Sequence, residues 1–142
     1  MAVTIGEATD ATDVAAAQRW ADGEFDKLVS QPWYTAKVAL TARRDGVLIG
    51  AAIGNCSAGV AYLGELIVAE GERNGGVGAQ LLAAFEAWAQ AQGAHKCTLH
   101  TDRDGPAARF YERHGWHILC MLDDHYEHRT SLLMAKAMPS RP

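Results

Sequence analysis

Residues 60–92 constrain this chain more than any other stretch. An apolar run, Val60 to Val68, gives way to a short polar loop with Gly71, Gly75, Gly76 and Gly78. Apolar residues at helical spacing follow: Leu81, Leu82, Phe85, Trp88 and Ala89. Such a strand, loop and amphipathic helix must bury the helix stripe against a sheet. A further β-rich run, Cys97 to His100, follows the helix stop at Gly93, so the strands on either side of the helix are expected to be parallel, joined by a right-handed crossover. The crevice at the C-terminal ends of such strands is where these sheets place ligands.

The remaining elements fit around this unit. Val3 to Ala8 alternates and predicts a first strand, followed by a helix capped by Asp10 or Thr12 that runs towards Trp20. A second short helix is expected over 22–30, ended by Gln31 and Pro32 because the residue before proline is pushed from helical geometry. Lys37 to Arg44 and Val47 to Gly54 are joined by Arg44, Asp45 and Gly46, a hairpin signal. Pro106 to His114 reads as a helix closed by Gly115, and Trp116 to Leu122 and Ser131 to Lys136 as two final strands. The expected fold class is therefore α/β (α+β mixed), with a central sheet of about seven strands flanked by about four helices.

Composition narrows the partners. The 142 residues suit one domain over 1–142, so one fold must hold every ligand. A net charge of −4 would repel a nucleic-acid backbone. Cys56, Cys97 and Cys120 are odd in number and lie in apolar runs, which reads as reduced core thiols. There is no basic, apolar leader and no run of about 18 apolar residues, so a cytoplasmic protein without membrane attachment is expected. The pairs His114/His117 and His125/His128 lack an accompanying carboxylate motif, and no metal is expected.

The loop itself points to a phosphate-rich ligand. Free N–H groups at the first turn of a helix, together with its dipole, attract anions, and glycines let a diphosphate approach the backbone. A P-loop would need Lys and then Ser or Thr after the last glycine, where Ala79 and Gln80 stand. A dinucleotide fingerprint would need a third glycine where Leu81 stands, and seven residues separate Val68 from Gly76 where that turn leaves its strand almost directly. The pattern R-x-x-G-x-G, met by Arg73, Gly76 and Gly78, fits better. A second segment agrees with it: Asp104, Ala107, Phe110, Tyr111, Glu112, Arg113, Gly115 and Trp116 match N-x-x-A-x-x-F-Y-E-[KR]-x-G-[FW] with Asp in place of Asn.

On these two motifs, the chain resembles the GNAT superfamily of acyl-CoA N-acyltransferases over roughly residues 36–122. The resemblance implies a GNAT-like fold and transfer of acetyl from acetyl-CoA to a primary amine, on a small molecule or a protein, by direct attack in a ternary complex. It implies that Arg73 and the N–H groups of Asn74, Gly75, Gly76, Val77, Gly78 and Ala79 cradle the CoA diphosphate, with Asp104, Phe110 and Arg113 further along the cofactor. The pantetheine arm would pair with the backbone of the strand around Leu66, Ile67 and Val68, and an N–H at a bulge near Leu66 would polarise the acetyl carbonyl. Tyr111 is implied as general acid and Glu65 as base. Trp33, Tyr34, Asp123 and His125 lie where the acceptor would bind. A homodimer also fits the resemblance. The alternative from a different class is a catalytically idle CoA-binding regulatory module.

Overall fold

The computed structural model describes residues 2–29 and 33–139. The chain divides into two units, residues 1–34 and 35–142.

In the first unit, the alternating run at Val3 to Ala8 forms no strand. Val3 and Ile5 are 85% and 89% exposed, so this run buries nothing that would hold it extended. The two expected helices are one, α1 (Ala11–Asp26), capped by the Asp10 carboxylate, which accepts from the Asp13 N–H at 2.8 Å. Gly23 sits inside α1 in open space, where glycine costs a helix about 1 kcal/mol without breaking it. The helix ends at Asp26, and the expected stop at Gln31 and Pro32 lies outside the described residues.

The second unit is a six-stranded mixed sheet. Its strands are β1 (Thr35–Arg44), β2 (Val47–Ser57), β3 (Val60–Val68), β4 (Lys96–Asp102), β5 (His117–Leu122) and β6 (Ser131–Ala137), in the spatial order β1-β2-β3-β4-β6-β5. Two helices accompany it, α2 (Val77–Ala91) and α3 (Ala107–Arg113). Among the described residues there are thus six strands rather than seven and three α-helices rather than four, for the reasons met in the first unit. The turn between β1 and β2 has Asp45 at φ 50° and Gly46 at φ 79°, the left-handed pair that an Asp-Gly hairpin turn demands.

The core lies between α2 and one face of the sheet. Leu81, Leu82, Phe85 and Ala89 form the buried stripe of α2, and they meet Ala52, Cys56, Ala61, Leu63, Cys97 and Leu99 from β2, β3 and β4. Gly54 is what lets Phe85 in. A Cβ on Gly54 would stand 2.7 Å from the Phe85 ring and 2.3 Å from the Tyr62 carbonyl oxygen, which is backbone and cannot step aside cheaply. Gly54→Ala is accordingly expected to destabilise the chain by about 3 kcal/mol or more, seen as a lower urea midpoint at unchanged slope.

Cys56 and Cys97 are buried as expected, but Cys120 is exposed. It lies on β5, the strand at the edge of the sheet, where side chains on both faces stay largely in solvent. Among the described residues, no helix is long and apolar enough to cross a membrane.

Candidate active site

Two local irregularities make the site. The first is a β-bulge. Ile53 pairs with Glu65 but Gly54 pairs with Leu63, so Gly64 has no partner on β2. The bulge is therefore two residues before Leu66, the position expected for it, and a glycine inside a strand is the sequence signal for one. Past it the inward face of β3 changes parity. Ala61 and Leu63 are buried, then Leu66 and Val68 pack against the core while Glu65 and Ile67 are exposed on the other face.

The second irregularity is a parting of strands. β3 and β4 pair in parallel only over Val60↔Lys96, Ala61↔Cys97 and Tyr62↔Thr98. Beyond Tyr62, the edge of β3 that faces β4 is open. The Ala69 N–H donates to the Ile49 carbonyl, which sets the antiparallel ladder so that Glu65 and Ile67 direct their backbone to β2, while Leu66 and Val68 direct theirs into the gap. Of the three strand residues expected to meet a pantetheine, Leu66 and Val68 thus present backbone groups to the gap, and Ile67 presents its own to β2. The Val68 carbonyl accepts from Arg73 Nε at 3.1 Å, which folds Arg73 back over the strand end.

Between β3 and α2, the chain makes one 3₁₀ turn (Glu70–Glu72), passes Asn74 at φ 68°, and enters α2 through Gly76 at φ 87°. The Gln80 N–H closes onto the Gly76 carbonyl. The six consecutive N–H groups from Asn74 to Ala79 have no acceptor among the described residues, in backbone or side chain. No side chain caps α2, and its first turn holds no acidic residue. A helix start this bare attracts an anion. The nearest loop carboxylate is already engaged. Arg44 grips Glu72 with two parallel hydrogen bonds of 3.1 and 3.0 Å, which holds the Glu72 carboxyl below its ordinary range and keeps its charge committed to Arg44.

The α3 motif approaches the same loop through Phe110. A Cβ on Gly78 would stand 3.7 Å from both Phe110 Cζ and Val68 Cγ2, so Gly78 lies where strand, loop and α3 converge. Next to Phe110, the Tyr111 ring is buried against it and Trp116, at centroid distances of 5.3 and 5.8 Å. The Tyr111 hydroxyl has no hydrogen-bond partner among the described residues. Burial pushes its pKa up to about 12, so it carries its proton throughout the neutral range. Asp104 and Arg113 stand elsewhere, lining a groove beside β5 with Arg103, Arg109 and Glu112 that shares no residue with the loop. Asp104 does not cap α3 as an acidic residue there could. It accepts from Arg103, and Pro106 takes the cap position.

On the exposed face of the sheet, Glu65 lines a hollow of about 520 Å³ with Lys37, Ile53, Asn55 and Tyr62. A neighbouring hollow of about 460 Å³ is lined by His100, Asp102, Tyr126, Arg129 and again Tyr62. His125 joins this second group, its ring 6.3 Å from that of His100. Asp123 is exposed in the turn after β5 and lines neither hollow. In the first unit, Tyr34 is exposed and Trp33 packs edge-on to Phe25 at 5.3 Å. Sequence reasoning missed Tyr62, Gly64 and His100.

Comparison with known proteins agrees with this geometry. The model of the acetyltransferase (GNAT) family matches residues 7–116. Among solved structures, a proposed acetyltransferase from Agrobacterium tumefaciens superposes with a TM-score of 0.78 at 23% identity, covering 96% of this chain and 99% of that one. An acetyltransferase from Bacillus cereus does so at 0.74 and 19%, covering 94% and 97%. A GNAT family acetyltransferase from Elizabethkingia anophelis, solved with acetyl-CoA bound, gives 0.67 and 16%, covering 71% of this chain and 76% of that one. At these identities the structural likeness establishes the fold. No curated protein sequence matches the chain closely enough to serve as a relative. The family match spans the hairpin, the glycine loop and the α3 motif, and on it the chain belongs to the acetyltransferase (GNAT) family.

Proposed function

We propose that the chain is an N-acetyltransferase that moves acetyl from acetyl-CoA directly to a primary amine, of a small molecule or a protein, and that residues 1–142 work as one such domain. The observation that carries this reading is the row of six unpaired N–H groups from Asn74 to Ala79, placed directly beside an open strand edge. The row fits a diphosphate, and the edge fits the amides of a pantetheine arm.

Acetyl-CoA, when bound, supplies the activated acetyl thioester. The loop N–H groups and Arg73 would hold its phosphates, and Leu66 and Val68 would pair with its arm as an added strand does. The N–H of Leu66, which the ladder directs into the gap just past the bulge, would stabilise negative charge on the acetyl oxygen as the amine attacks. Tyr111, protonated and close-packed, would give its proton to the departing thiolate. On the opposite face, Glu65 supplies the negative charge that draws in an ammonium, and it is the carboxylate to which the resemblance gives the role of base. The family's use of acetyl-CoA and the match through residue 116 support the donor.

Thermal shift with acetyl-CoA, CoA and NADH tests the donor. At a hundredfold excess over Kd, acetyl-CoA is expected to stabilise the fold by about 2.7 kcal/mol, with CoA similar and NADH without effect. Thiol release against polyamines, aminoglycosides, amino acids and peptides then identifies the acceptor class. Stabilisation without turnover on any amine would favour an idle CoA-binding module, and no stabilisation by acetyl-CoA would overturn the reading.

A further inference from the structure

The last rung of the parallel ladder, Tyr62↔Thr98, places a pair of side chains at the mouth of the gap between β3 and β4. Two residues beyond Thr98 stands His100, and its Nδ1 lies 3.2 Å from the Tyr62 hydroxyl, the two rings meeting edge to face at 5.7 Å. The register explains why they meet. On β4, Cys97 and Leu99 turn inward, so Thr98 and His100 turn to the same outer face as Tyr62 and Glu65. Tyr62 lines both hollows on that face, whereas His100 lines only the second and Glu65 only the first. Tyr62 is thus the side chain that the two hollows share, with Glu65 on one side of it and His100 on the other.

We propose that Tyr62 and His100 form the relay that deprotonates the acceptor. The inference rests on the acetyl-transfer reading above. The ammonium gives its proton to the Tyr62 oxygen while the Tyr62 O–H proton passes to Nδ1 of neutral His100. The amine lone pair is freed for the bond to the acetyl carbon, and His100 becomes an imidazolium. The proton then leaves to solvent, to which His100 is exposed. Glu65 is left as counter-charge for the ammonium. The bare imidazole nitrogen within hydrogen-bond reach of the Tyr62 hydroxyl gives that proton an acceptor. Tyr62 is the group that touches the amine, and His100 is a positioning residue and proton store behind it.

Several titratable and charged groups surround His100. Facing it are Tyr62 from β3, Asp102 from its own strand, and His125, Tyr126, Glu127 and Arg129 from the connection between β5 and β6. Arg129 is bound to Asp102, which holds the Asp102 carboxyl below its ordinary range and commits the arginine's charge.

Two measurements test the relay. In the free protein, ¹⁵N spectra of the imidazoles at pH 8 are expected to show His100 with Nε2 protonated and Nδ1 bare, and the Nδ1 signal is expected to move in Tyr62→Phe. A proton resident on Nδ1 would overturn the proposal. For the panel amine that releases thiol fastest, His100→Gln and Tyr62→Phe are each expected to lower kcat/KM about a hundredfold at pH 7 and to remove the acid limb of the pH profile, with the double variant no slower than either single one. Glu65→Gln is expected to raise KM and keep the limb. Retention of the limb in His100→Gln, or its loss in Glu65→Gln, would sink the relay alone. Absence of turnover with every amine, while acetyl-CoA still stabilises the chain, would sink the transfer reading and the relay with it.

Discussion

Gly78→Glu is expected to weaken acetyl-CoA binding at least about a hundredfold, or about 2.7 kcal/mol, while leaving the free protein as stable as before or slightly more so. The two effects have opposite signs for one reason. At this position a Cβ makes only ordinary contacts of 3.7 Å, and no left-handed backbone is required, so the fold accepts a side chain. A carboxylate in the first turn of α2 then meets N–H groups that nothing else satisfies and favours the helix by roughly 0.3–1 kcal/mol. The same carboxylate occupies and charges the place where a diphosphate would bind. Gly76 supplies the contrast. It sits at φ 87°, where a Cβ is strained, so Gly76→Ala should lower the melting temperature even without ligand, by an amount corresponding to about 1–2 kcal/mol. Calorimetric titration with thermal melts of both variants checks this. Wild-type affinity in Gly78→Glu would show that the cofactor binds elsewhere.

Tyr111→Phe is expected to lower kcat about a hundredfold with the affinity for acetyl-CoA unchanged. The melting temperature should hold, because the ring keeps its contacts with Phe110 and Trp116 and only a hydroxyl without a partner is lost. The pH dependence follows from the direction of the shift. Burial raises this pKa to about 12, so the acid form is fully present up to roughly pH 10, and wild-type kcat should show no alkaline limb from this group in that range. The deficit of the variant should then be constant from pH 6 to 10. Equal rates in both proteins at every pH would reduce Tyr111 to a packing residue, and a loss of affinity instead of rate would mean that it shapes the cofactor site.

What could be read from the sequence was local. The Asp45-Gly46 turn, the stripe on α2, the stop at Gly93 and the loop from Arg73 to Gly78 each depend on residues close together in the chain, where backbone geometry and periodicity decide the outcome. The first strand failed for the complementary reason. Alternation at Val3 to Ala8 says that one face could be buried, but a strand exists only through a neighbour, and no residue of that run reveals one. The break expected near Trp20 failed because a single Gly23 weakens a helix without ending it. Within the candidate site, the glycine loop was legible and the Tyr62–His100 pair was not. These residues lie 38 positions apart, and their meeting depends on which rung of the β3–β4 ladder is the last to close. Gly64 stood in plain view inside a strand run, and its meaning as a bulge needed only the rule that such glycines seldom serve regular pairing.

The unequal placement of the cysteines bears on how the enzyme is assayed. An aromatic disulfide reagent that reads released CoA also reads protein thiols, and Cys120 on the edge strand is open to it. Cys56 and Cys97 are sealed in the core, where burial raises the Cys97 thiol to about 12 and leaves almost no reactive thiolate. The folded chain should therefore give one fast equivalent of colour before any amine is added, and three once urea opens it. That step from one to three turns the background of the activity assay into a titration of the unfolded fraction.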